Sequence, residues 1–311
     1  MDSGAENKVQ SVVHPVVDLI VAASKKDSEE SRGSIKSDFT VTELLLPPRI
    51  YVLMQQHRSQ IVESAESWFN MLMGSAIHEY IARLLQRYPQ FRREERLTIS
   101  VEVDGRKYLV SGKFDAYDKM AMVLYDFKST SIWSIIHNDK PEWMMQGQMY
   151  AELVEQCIGP VMQFINLFFL KDWNVSEAQR KPDLPQLPYA TRTFDVWPKE
   201  RRLDLIRSRL KLIHDAVVNL PLCSNEDRWT KPTVYAVMKP GRISAVSLHD
   251  NLSDAQVKAD GIKGGDVIKR PGESVRCARY CSVAPFCTQY QEELNGRSKG
   301  NAKTLEHDVT A

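Results

Sequence analysis

Residues Ser111–Thr130 read SGKFDAYDKMAMVLYDFKST, a hairpin-like stretch with Asp115 on its first run and Asp126 and Lys128 on its second. Side chains alternate across a strand, so Asp126 and Lys128 are expected to project to one face while Phe127 points into the core on the other. If the two runs pair, Asp115 can face them. Two carboxylates converging on one spot repel each other unless a divalent cation sits between them, and a nearby ammonium can then orient or deprotonate a water for attack on phosphorus. These residue types suit metal-assisted phosphodiester hydrolysis. An Asp-x-Lys triplet is also common on half-exposed strands, where the pair serves solubility, so the triplet alone does not decide the matter.

Working outward, GSAIHEYIARLL (residues 74–85) lies in a helical pattern whose apolar residues Phe69, Leu72, Ala76, Tyr80 and Leu84 are expected to form the buried stripe. His78 stands off that stripe, with Gly74 one turn before it. Downstream, EWMMQGQMYAELVEQC (residues 142–157) reads as a helix with Gln146 and Tyr150 at i, i+4 on one face. Each of these features is weak alone. A helix with His, a strand with Asp, a strand with Asp-x-Lys and a helix with Gln-x-x-x-Tyr, in that order, resemble the RecB-like branch of the PD-(D/E)XK nuclease superfamily over about residues 40–170.

The resemblance implies an α/β fold of the restriction-endonuclease-like kind, a central mixed β-sheet flanked by helices. It also implies that His78, Asp115, Asp126 and the Phe127 carbonyl bind Mg²⁺ or Mn²⁺ and that Lys128 is the catalytic lysine. Gln146 and Tyr150 would contact DNA or support the active site. Phe114 stands where the family name has proline, as in many RecB-like members. Glu94 and Glu95, in QFRREER, are further carboxylates near the site but are left out of the metal shell.

A second constellation is cysteine. Of five cysteines, three crowd into VRCARYCSVAPFC as Cys277, Cys281 and Cys287, with Cys223 upstream and Cys157 alone in the Gln-Tyr helix, where it is expected to pack. Four thiolates satisfy either a tetrahedral zinc or a cubane iron–sulfur cluster, and an odd count argues against a disulfide framework. RecB-like nucleases with an iron–sulfur staple are similar in their three closely spaced C-terminal cysteines, which points to [4Fe-4S], with Zn²⁺ as the alternative. Their fourth ligand precedes the nuclease core, whereas here it must be Cys223, after it. Either metal would fasten a loop of about fifty residues into one module.

Composition adds limits. The chain has 311 residues, 43% hydrophobic and 26% charged, with a net charge of +1, so no global basic field advertises nucleic acid and DNA attraction must be local. Apolar SVVHPVVDLIVAA near the start contains Pro15 and Asp18, is too short to span a membrane and lacks a basic leader, so neither membrane residence nor a signal peptide is expected. The helix-like WPKERRLDLIRSRLKLIHDAVVNL is expected to bury Leu203, Leu205, Ile206, Leu210, Ile213 and Val217. Its Arg201, Arg202, Arg207, Arg209 and Lys211 read as a solvated face or a phosphate-binding one. The expected domains are a disordered arm over 1–37, the nuclease core over 38–220, a cysteine-stapled module over 221–290 and a disordered tail over 291–311.

The sequence thus reads as a metal-dependent DNA exonuclease of recombination or repair, cytoplasmic in a bacterial or phage-infected cell. Its partners would be DNA and a single-strand-annealing or repair protein. A structure-selective endonuclease on the same site, a non-catalytic DNA-binding subunit and a zinc-stapled structural protein are the alternatives.

Overall fold

The protein is described by a computed structural model over residues 37–61, 65–136 and 140–296, with 19, 20, 22–24 and 26. The rest of the expected N-terminal arm and residues 297–311 of the tail lie outside the described residues; 288–296 are helical, so order continues into the tail. The chain divides into two compact units, residues 1–45 with 63–211, and 46–62 with 212–311. The boundary therefore differs from the expected 220/221 division. Residues 46–62 group with the cysteine-bearing segment because their helix buries Ile50 and Leu53 against Val283 and Cys287.

The first unit is α/β, a central mixed sheet flanked by helices, as expected for a restriction-endonuclease-like core. Its strands are β1 (Phe39–Thr40), β2 (Phe91–Val103), β3 (Arg106–Asp118), β4 (Val123–Thr130), β5 (Gln163–Leu170) and β6 (Tyr189–Asp195). The order is β1-β3-β4-β5-β6, with β2 also on β3. β1–β3 and β4–β5 are parallel, and the remaining pairs antiparallel. β5 shows why the sheet forms here. Its sequence QFINLFFL buries every second residue, Phe164, Asn166, Phe168 and Leu170, as period-2 patterning requires.

Helices of this unit are α1 (Val41–Leu44), α3 (Ala65–Leu85), α4 (Ile132–Ile136), α5 (Pro141–Cys157) and α6 (Val175–Arg180), with most of α7 (Lys199–Val218). The helix of the other unit is α2 (Pro48–Gln56). Pro at N1 starts α5, where its missing N–H has no intrahelical role. Gly147 then lets α5 lie directly on β5: a Cβ there would sit 2.1 Å from the ring of fully buried Phe164. We expect Gly147→Ala to destabilise the protein by about 1–3 kcal/mol through overpacking, read as a lowered urea midpoint with unchanged slope.

Two helices turn differently from the expected faces. On α3, Phe69, Tyr80 and Leu84 are exposed, as is Ala76, while Trp68 is buried. That helix is apolar on several sides, so periodicity could not choose between them. On α7, Ile206, Leu210 and Ile213 are buried as expected, but Val217 is exposed and Arg202 is buried. Arg202 Nε donates to Glu152 Oε2 at 2.9 Å and Nη1 to the Trp197 carbonyl at 2.7 Å, and Nη2 pairs with Glu155. Arg209 Nε donates to the Leu44 carbonyl at 2.6 Å. Part of the expected basic face is therefore internal structure.

In the second unit, β7 (Thr230–Lys231) pairs antiparallel with β11 (Glu273–Ser274). Between them β8 (Val234–Met238), β9 (Ser247–His249) and β10 (Asp266–Arg270) form a sheet ordered β10-β8-β9. It is covered by α9 (Leu252–Asp260), which follows the short α8 (Asn225–Arg228) in chain order and packs Ala255 and Ala259 on Val237. α10 (Val275–Arg279) and the helical residues 288–296 follow. Among the described residues no helix is long and apolar enough to cross a membrane.

Candidate active site

β3 and β4 pair through Ala116↔Tyr125, Tyr117↔Leu124 and Asp118↔Val123, while further back β3 pairs with β1 at Val110 and Ser111. Beyond Ala116 the two strands therefore part. Backbone donors at such a divergence need another acceptor. Asp115 supplies one: its Oδ2 accepts from the Phe127 N–H at 2.6 Å. This contact brings the first carboxylate of the motif to the second strand.

Asp126 and Lys128 share the face that meets α5, as strand alternation requires. Lys128 Nζ donates to Asp126 Oδ1 at 3.0 Å and to Gln146 Oε1 at 2.8 Å. Asn166, paired with Asp126 across the parallel β4–β5 ladder, donates from Nδ2 to Asp126 Oδ2 at 2.9 Å. Asp126 is 4% exposed. Burial above all raises its pKa over the usual carboxylate range, opposed by the Lys128 charge and reinforced by Asp115. Gln146 Nε2 reaches the Tyr150 hydroxyl at 3.5 Å. Burial pushes the Tyr150 phenol further up from its already high value, so it acts as a neutral hydrogen-bonding group.

The opposite face carries the Phe127 ring, edge-on to His78 of α3 with centroids 6.0 Å apart. His78 Nδ1 lies 3.3 Å from Asp115 Oδ1. Burial disfavours a charged imidazole, but the Asp115 hydrogen bond and the charges of Asp115, Glu94 and Asp126 together raise the His78 pKa. A Cβ on Gly74 would meet nothing within 4 Å, so that position stands beside open space.

Glu94 joins this set. Ligand atoms of His78, Glu94 and Asp115 lie within 4.8 Å of one another, the one such His/Cys/Asp/Glu group among the described residues. Glu94, left out of the expected metal shell, thus lies beside His78 and Asp115, while Asp126 stands outside this trio, held by Lys128 and Asn166. The β2–β3 ladder pairs Arg93↔Ala116 and Glu95↔Phe114 but skips the position between. Glu94 there adopts φ 51°, a left-handed conformation that a non-glycine residue holds only when its surroundings demand it. Its Oε1 is buried without a hydrogen-bond partner, and its Oε2 pairs with Lys113. An orphaned buried carboxylate oxygen beside a histidine and a second carboxylate fits a cation better than it fits a closed ion pair.

Cys223, Cys277, Cys281 and Cys287 line one pocket together with Arg49, Asp227 and Arg276. None of the cysteines is in a disulfide, and Cys157, expected to pack, is exposed with Sγ 3.8 Å from the Thr98 carbonyl. Burial, aided by Asp227 and the neighbouring sulfurs, pushes the Cys223 thiol up to about 12. Burial raises Cys281 as well. Thiols in such a pocket surrender their protons to a bound metal rather than to water.

No protein-family model and no curated protein matches this chain. Among the solved structures similar to it are two at 16% identity. The crystal structure of SSO0001 aligns with a TM-score of 0.47 at 16% identity, over 63% of this chain and 86% of that one. A phage-related exonuclease from Haemophilus somnus 129PT aligns with a TM-score of 0.36 at 16% identity, over 56% of this chain and 80% of that one.

Proposed function

We propose that this chain is a divalent-metal-dependent deoxyribonuclease. The observation that carries the reading is the gathering of Asp115, Asp126 and Lys128 where β3 and β4 part, with His78 and Glu94 closing on Asp115. His78, Glu94 and Asp115, with Asp126 and the Phe127 carbonyl, would hold Mg²⁺ or Mn²⁺. Such an ion, when bound, polarises a phosphodiester and stabilises charge on the attacking and departing oxygens. The protein's own groups do the rest. Lys128, steadied by Asp126 and Gln146, uses its ammonium to orient the attacking water and to stabilise the charge that builds on the phosphate, the water's proton leaving to solvent, while Asn166 holds Asp126 in place. Gln146 and Tyr150 support the lysine from α5.

Action from DNA ends, with 5′-phosphate products and a role in recombination or repair, follows from the resemblance to RecB-like nucleases. The four cysteines of the second unit would hold a [4Fe-4S] cluster. The similarity of the three closely spaced C-terminal cysteines to those of iron–sulfur-stapled RecB-like nucleases favours the cluster over Zn²⁺.

Anaerobically purified protein incubated with linear and closed circular DNA, with Mg²⁺ or Mn²⁺ and with chelator, tests the reading. Metal-dependent loss of linear DNA alone is expected; cutting of circles would make the enzyme an endonuclease. No degradation of any substrate by metal-supplied protein would overturn the catalytic reading. Glu94→Gln should raise the Mg²⁺ concentration for half-maximal cleavage by about 10–100-fold. An unchanged metal titration would remove Glu94 from the metal shell.

A further inference from the structure

Arg49 stands in the first turn of α2, within the cysteine-bearing unit, and is 4% exposed. Its Nε donates to Cys287 Sγ at 3.3 Å, Nη1 to the Pro221 carbonyl at 3.1 Å and Nη2 to Thr288 Oγ1 at 2.7 Å. None of these partners is a carboxylate. A guanidinium cannot shed its proton to escape burial, and leaving it buried without a counter-charge costs several kcal/mol. The acids nearby are engaged elsewhere. Asp227 accepts from the Ser224 N–H in the α8 cap, and Glu293 pairs with Arg228 and accepts from Ser274. Of the other cations at the pocket, Arg228 is paired with Glu293, and Arg276 turns to the Asp227 carbonyl and the Trp229 ring.

We infer that Arg49 is the counter-cation of the four-cysteine pocket, giving its charge and an N–H···S bond to the thiolates of a bound cluster and thereby raising the cluster's reduction potential. This inference rests on the four-thiolate reading. Four thiolates around an iron–sulfur cube carry net negative charge into a buried site, and a fixed guanidinium against one sulfur stabilises the reduced, more negative form most. A purely structural Arg49, tying α2 to residues 221 and 288, would leave the potential unchanged.

The full chain, as wild type, Arg49→Met and Arg49→Lys, is reconstituted anaerobically with iron and sulfide, assayed for iron per chain and titrated by redox potential. Wild type is expected to take up iron. Arg49→Met should show a lower potential and lose iron to a chelator about 10–100-fold more readily, with Arg49→Lys between the two. Equal potentials and equal iron retention in all three proteins overturn the inference. If Arg49→Met does not fold, Arg49→Lys against wild type carries the same comparison, since it keeps the charge but loses the forked geometry. Wild type that binds zinc and no iron overturns the cluster and the potential claim with it, while zinc held more tightly by wild type than by Arg49→Met supports the counter-cation role and equal affinities overturn it. Wild type that binds neither metal overturns the four-thiolate reading and the inference together.

Discussion

Lys128→Ala is expected to slow DNA cleavage by about 10²–10³-fold at saturating Mg²⁺, the range lost with one preorganised donor to the transition state. The side chain is only 22% exposed and is held between the carboxylate of Asp126 and the amide of Gln146, so its ammonium points to one place. Truncation removes that group and leaves Asp126 held by the Asn166 amide. Single-turnover assays over a range of DNA concentrations separate the effects. The rate constant should fall while DNA binding changes little, because the lysine acts on the water and not on duplex recognition. Lys128→Arg should not restore the rate, since a planar, larger guanidinium does not reproduce a compact ammonium held between Asp126 and Gln146. A variant that cleaves at close to the wild-type rate would sink the catalytic assignment of this lysine.

The largest effect on stability is expected from Arg202→Ala, about 3–5 kcal/mol in urea unfolding. Arg202 is 2% exposed and Glu152 fully buried, and the same guanidinium also reaches Glu155 and the Trp197 carbonyl. Alanine leaves Glu152 as a buried charge with Gln156 Nε2, at 2.6 Å, as its remaining donor. Such a loss is a large share of the about 5–15 kcal/mol that holds an ordinary domain folded. The double substitution Arg202→Met, Glu152→Leu should recover much of it, because paired charges cost desolvation that apolar residues of similar size do not. A loss below about 1 kcal/mol in Arg202→Ala would show that water reaches the pair.

Residues with short-range signatures were legible in advance. The Asp126–Lys128 pair, the inward Phe127 and the α5 face with Gln146 and Tyr150 all follow alternation or helical spacing. Glu94 was not legible. Nothing in QFRREER marks which of two adjacent glutamates takes a left-handed backbone and turns its oxygen toward His78 and Asp115. Arg202 misled for a related reason: basic residues in an amphipathic helix look solvated until two glutamates from a helix about fifty residues away meet one of them. On α3 the apolar residues surround the axis, so spacing alone selected Phe69, Tyr80 and Leu84, which are exposed.

Local pattern was enough for the β4 alternation and the α5 spacing and for the kinds of chemical group they carry, because those depend on residues two to four positions apart. Long-range packing settles that β3 and β4 part at Asp115, that Glu94 rather than Asp126 completes a compact trio with His78 and Asp115, and that Arg49 joins the cysteine unit. These outcomes depend on backbone groups seeking partners and charges seeking counter-charges across segments far apart in the chain. Their energies exist only once the fold has removed water from between them.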